Sequence, residues 1–149
     1  SGGLMDDSGS FRIVVGVDGS PQSKAAMDWA IVEAKLRNGQ VLALAAWNFP
    51  YVGDALGQVW DYDVFQSDAE AILKAELARV TDQGVNITGR AVQANPGSAL
   101  VEASRAADLV VVGSRGHGGF TGMMLGSVSA AAVHHAHCPV LVLRERSTE

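Results

Sequence analysis

The sequence predicts an α/β fold built on an open parallel sheet, and three observations carry that reading. Short runs rich in valine and leucine, Arg12 to Val17, Val41 to Trp47 and Leu109 to Val112, are apolar on both faces, as strands covered by helices on two sides are. Between them lie stretches whose apolar residues recur at helical spacing, such as Met27, Ala30, Ile31 and Ala34. Glycine, serine and aspartate gather just after the first and the last of these runs, where ligands bind in sheets of this kind.

Taken in order, residues Ser1 to Ser10 read as a flexible polar leader, part of it a cloning remnant ahead of Met5. The first strand, Arg12 to Val17, leads into Asp18-Gly19-Ser20-Pro21, where Gly19 allows a tight turn, Ser20 suits a helix cap and Pro21 the first helical position. Asn38-Gly39 ends that helix, and Val41 to Trp47 is the second strand. The segment 48–60 carries Phe49, Tyr51 and Trp60; these aromatics form a lid or a partner surface, or more simply cover the end of the sheet. Asp68 to Val80 is the second helix, and Val85 to Gln93 the third strand, polar enough to lie at a sheet edge. Asn95-Pro96 caps a short helix running through Leu100 and Ala103; Leu109 to Val112 and Pro139 to Leu143 are the last two strands. Residues 11–146 are therefore expected to form one domain.

Composition excludes several classes. The chain has 149 residues, 48% of them hydrophobic and 18% charged, which describes a folded chain with a real core. A net charge of -5 offers no basic face for a nucleic-acid backbone. The longest apolar run, Val41 to Trp47, is far too short to span a membrane, so no membrane partner is expected. The single cysteine, Cys138, rules out an intramolecular disulfide and fits a reducing cytoplasm.

The stretch after Val112 carries the chemistry. Glycines at positions 113, 116, 118, 119, 122 and 126 lead to Ser127 and Ser129, which open an alanine-rich helix. A strand, a glycine loop and a helix N-terminus make an anion cradle, because backbone N–H groups can approach phosphate oxygens and the helix dipole favours negative charge. Ser127 and Ser129 add hydroxyl donors there.

The spacing Gly113-x2-Gly116-x9-Gly126-Ser127 resembles the nucleotide motif of ATP-binding universal stress proteins, and Val14 to Ser20 (V-V-G-V-D-G-S) is similar to that family's first-strand motif. The resemblance runs from Arg12 to Arg144. It implies a Rossmann-like sheet of the adenine nucleotide alpha hydrolase-like type, with strand order 3-2-1-4-5 and helices on both faces. It also implies an ATP site of Gly16, Val17, Asp18, Ala46, Val112, Gly113, Arg115, Gly116, Gly126, Ser127, Val128 and Ser129. On the residues alone Asp18 is equally a turn former; the resemblance assigns its carboxylate to the nucleotide's sugar or to a Mg²⁺ ion held with ATP. Many family members end the second strand in histidine-valine, where this chain has Ala45-Ala46-Trp47, so adenine contact there falls to the backbone of Ala46.

Two functions of different class follow: a nucleotide-dependent binding or signalling module, or a slow ATPase or phosphotransfer enzyme. A phosphotransfer enzyme needs cations at the transferred group. Lys24, Lys35 and Lys74 all lie outside the glycine loop, whose one Lys or Arg is Arg115, so binding is favoured over turnover. A cyclic AMP receptor on the same fold is a variant of the first class. His134, His135, His137 and Cys138 include a zinc-like spacing, but Pro139 directs the chain out of the helix and histidines suit a helix's last turn, so a structural role is preferred. Finally, Val140 to Leu143 is apolar without interruption at a sheet edge, which predicts a homodimer through residues 139–144, unless helices cover both faces and leave a monomer.

Overall fold

A computed structural model describes residues 9–48, 62–115 and 125–144. Strands and helices alternate along it: β1 (Arg12–Gly16), α1 (Pro21–Leu36), β2 (Gln40–Trp47), α2 (Tyr62–Arg79), β3 (Asn86–Gln93), α3 (Pro96–Ser104), β4 (Leu109–Gly113), α4 (Ser127–His135) and β5 (Val140–Leu143). The five strands form one sheet in the order β3-β2-β1-β4-β5, every neighbouring pair parallel, as expected.

Side chains alternate across each strand, so the sheet divides two cores. Ile13 and Val15 of β1 face one side with Met27, Ala30 and Ile31 of α1 and Leu73 of α2. Val14 faces the other with Leu42, Leu44 and the α3 residues Ala99 and Leu100. Ile13, Val14, Val15, Val110 and Val111 are fully buried, which is why β1 and β4 read as unbroken apolar runs.

Packing explains two sequence features. Gly89 of β3 sits where a Cβ would come within 2.7 Å of Leu77 on α2, so the glycine lets the helix settle on the strand. Arg79 at the end of α2 pairs with the buried Glu76 and reaches across to Asp28 of α1 and the Lys24 carbonyl, strapping the two helices together. The guanidinium is held well above its ordinary pKa, first by its hydrogen bond to Glu76.

Strand ends fall within one residue of expectation, and the starts of two helices differ from it. Helix α2 begins at Tyr62 rather than Asp68; its first turns carry exposed residues such as Val64, and the buried stripe begins only at Ala69. The helix after the glycine loop is capped by Gly126, not by a serine, and Ser127 is its first residue. Most of the aromatic segment 48–60 lies outside the described residues.

Candidate functional site

The sheet opens at its carboxyl end. The β1–β4 register runs from Ile13↔Leu109 to Val15↔Val111, whereas the β1–β2 register continues to Gly16↔Leu44. Past that point lies a cavity of about 320 Å³ between the two strands that flank the order reversal. Its inner wall is apolar, formed by Val17, Leu44, Ala46, Leu100, Val112 and Val128; its outer end is polar, with Asp18, Ser20, Ser23, Arg115, Ser127 and Ser129. Gly16, Gly113 and Gly126 also line it, so every residue proposed from the sequence is gathered here except Gly116, which lies outside the described residues.

Asp18 is positioned by the turn that follows β1. Gly19 takes a left-handed φ of 81°, which a side chain would strain. That turn brings the Ser20 N–H to Asp18 Oδ1 at 2.9 Å, so the carboxylate is both a turn former and a wall of the cavity. Ser20 then caps α1 by accepting the Ser23 N–H at 3.1 Å, with Pro21 in the first turn.

The opposite wall is formed by Gly113, Arg115 and Gly126 to Ser129, which meet at Ser114. The Ser114 carbonyl accepts the Gly126 N–H at 2.7 Å and the Ser129 hydroxyl at 3.0 Å, while the Ser114 N–H donates to Leu143 of β5 at 2.8 Å. Ser129 is 2% exposed, and its hydroxyl donates to the Ser114 and Gly126 carbonyls. Ser127, by contrast, is exposed at the first position of α4. Gly126 has φ −67°, an ordinary value, so its requirement is one of space: a Cβ would lie 3.3 Å from the Ser114 carbonyl oxygen. As a cap without a side chain it makes no side-chain hydrogen bond to the first turn, which leaves the helix N-terminus to act on an incoming anion.

The backbone of Ala46 is aimed into the opening. In a parallel strand, alternate residues direct both N–H and C=O to the same neighbour. Leu44 accepts from Val17 on the β1 side, and Trp47 accepts from Ala94 on the β3 side. Ala46 therefore faces the β1 side, beyond the register that β1 keeps with β2.

Gln22, Leu44, Leu100 and the first turn of α3 at Pro96 also build this region and were absent from the sequence-based site. Leu44 and Leu100 read as ordinary core residues, and Gln22 as an ordinary first-turn residue. The histidine cluster does not assemble: α4 ends at His135, and His137 and Cys138 lie beyond it. Among the described residues no group of three or more His, Cys, Asp or Glu is placed to hold a metal ion. Burial, and then the charge of Asp108, push the Cys138 thiol up from its ordinary pKa.

Comparison with known proteins agrees with this architecture. The universal stress protein family model matches residues 10–144. A universal stress protein of Mycobacterium tuberculosis is 41% identical over 144 residues, covering 95% of this chain and 48% of the relative. The chain thus spans about half the length of the curated relatives it matches. Among solved structures, a universal stress protein in complex with cAMP is 31% identical with a TM-score of 0.69, over 91% of this chain and 98% of that one. A universal stress protein from Lactobacillus plantarum shares the fold at a TM-score of 0.73 and 24% identity, over 91% of this chain and 98% of its own. The chain belongs to the universal stress protein family.

Proposed function

We propose that this chain binds an adenine nucleotide, ATP in the first instance, and acts as a nucleotide-dependent binding or signalling module. The observation that carries this reading is the cavity's division, an apolar slot ending at an α-helix N-terminus whose cap has no side chain. A base fits the slot between Val17, Leu44, Leu100 and Val112, with its polar edge toward the Ala46 backbone. Phosphates fit the other end, against Gly113, Arg115 and the first turn of α4 from Gly126 to Ser129. Asp18 is placed to meet the sugar or a Mg²⁺ ion carried with the phosphates.

Cyclic AMP is the second reading, supported by the 31% identical relative whose structure holds it. Turnover is disfavoured by the cation inventory: Arg115 lines the cavity, and no lysine does among the described residues. The lone cysteine favours a reducing compartment such as the cytoplasm. No helix among the described residues is long and apolar enough to cross a membrane. A homodimer through residues 139–144 remains our reading of the β5 edge.

Calorimetric titration of ATP, AMP, cyclic AMP and adenosine, with and without Mg²⁺, tests the proposal. ATP is expected to bind more tightly than adenosine, with Mg²⁺ increasing the difference. Failure of all four ligands to bind at millimolar concentration would overturn the reading, and preference for cyclic AMP would transfer it to the second. Hydrolysis near the enzyme median of ~10 s⁻¹ would replace the module with an enzyme.

A further inference from the structure

Gln22 stands on the second residue of α1, outside both sequence motifs, yet it makes the first side-chain contacts to the chain as it leaves β4. Its Oε1 accepts the Arg115 N–H at 2.7 Å and the Ser114 hydroxyl at 3.1 Å. The adjoining Gly113 is a glycine for the same reason: a Cβ there would fall 2.7 Å from the Gln22 Cβ. Helix and loop root therefore touch closely, and the glutamine oxygen meets two donors that would otherwise turn elsewhere.

The contact extends in both directions. On the α1 side, Gln22 is fixed by the cap at Ser20, whose own N–H is held by Asp18. On the loop side, Ser114 carries the bonds that anchor Gly126 and Ser129. The turn after β1 and the end of β4 are thus joined through the first turn of α1, and Gln22 accepts the hydrogen bonds that cross between them. Loss of that oxygen removes both bonds from α1 to Ser114 and Arg115, while the apolar residues Leu44, Leu100 and Val112 are untouched.

We propose that Gln22 is a positioning residue for phosphate recognition. It fixes the Ser114 hydroxyl and the Arg115 amide at the end of β4, so that affinity for phosphate-bearing ligands depends on a residue of α1. This rests on the nucleotide reading above, and predicts a division that the reading alone does not: binding of the phosphate part depends on Gln22 and binding of the nucleoside part does not.

The test compares the parent with Gln22→Met, similar in size but lacking the acceptor, and Gln22→Glu, which keeps one. ATP and adenosine are titrated against each, and amide hydrogen exchange is followed at Arg115. Gln22→Met is expected to weaken ATP by about tenfold, since it removes both hydrogen bonds that the Gln22 oxygen accepts, and leave adenosine within about twofold. Arg115 exchange should accelerate in Gln22→Met and stay slow in Gln22→Glu. If Gln22→Met binds ATP as the parent does, Gln22 is not a positioning residue, although the nucleotide reading stands. An equal loss for ATP and adenosine reduces Gln22 to a stability role and also overturns the proposal. A parent that binds neither ligand removes the nucleotide reading and this inference together.

Discussion

The Ser129 hydroxyl donates to the carbonyl oxygen of Ser114 at 3.0 Å, closing the two ends of the glycine segment on each other. Ser129→Ala should therefore lower stability by about 1 kcal/mol, the usual net worth of such a bond. The melting temperature would fall by roughly 2–4 °C for a chain of this size. Thermal denaturation checks this. An unchanged melting temperature together with a large loss of ATP affinity would instead make Ser129 a ligand donor.

Gly126→Val places a branched side chain where even a Cβ lies 3.3 Å from the Ser114 oxygen and on the wall of the cavity. It should abolish ATP binding while the circular dichroism spectrum remains that of the parent. Retention of parental affinity would move the phosphates to another part of the loop.

For Asp18 the informative change is to asparagine. Its side-chain oxygen can still accept the Ser20 N–H, made at 2.9 Å in the parent, so the turn survives while the charge is lost. Asp18→Asn is expected to weaken ATP with Mg²⁺ and to leave metal-free adenosine nearly unchanged in titrations. Equal weakening of both would place the contact at the ribose, and no change in either would leave Asp18 a turn residue.

Much of the architecture was legible because the chain writes burial plainly. The runs that became β1, β2 and β4 are apolar on both faces, and the structure places them in the middle of the sheet. The polar β3 is an edge, as its composition implies. The start of α2 was not legible, because residues before Ala69 do not face the core and leave no periodic trace. At the site, glycine spacing pointed to the loop but could not show that Ser129 turns inward. Gln22 was illegible for a different reason: its role arises from the adjacency of α1 and β4, and Ser114 is 92 positions away in the chain.

Cys138 should react slowly. Burial and the neighbouring Asp108 raise its pKa, so less of it is thiolate near neutral pH than in the unfolded chain. Iodoacetamide labelling at about pH 8 should be slower in the folded protein than in denaturant, with its pH profile displaced to the alkaline side. The same shift ties stability to pH: the contribution is whole below the ordinary thiol value and is lost as pH rises through the folded one. Labelling at equal rates in both states would contradict the shift.

Light scattering on the parent and on Val142→Pro addresses the β5 edge. All four residues of β5 are half-buried, so the helices on either face already cover part of them. We expect a dimeric parent at micromolar concentration and a monomeric variant: Pro139 and Leu143 accept from Val110 and Ser114 on the β4 side, so the Val142 N–H points to the open edge and proline removes it there. A monomeric parent would show that the helices suffice, and a dimer that survives the proline would place the interface elsewhere.

The bond from the Ser114 N–H to the Leu143 carbonyl makes the candidate site a tenant of the sheet's outermost strand. β5 has four residues and one strand neighbour among the described residues, so it belongs with the segments that fray before a domain unfolds as a whole. Each fraying event at its carboxyl end would release the amide that anchors the root of the glycine loop. The lifetime of the cavity's closed outline is then limited by the opening rate of β5, and not by the global stability of the buried centre at β1 and β4. Hydrogen exchange at Ser114 should consequently run far faster than at Val14 or Val15 of the central strand, and anything that holds β5 in place should slow it.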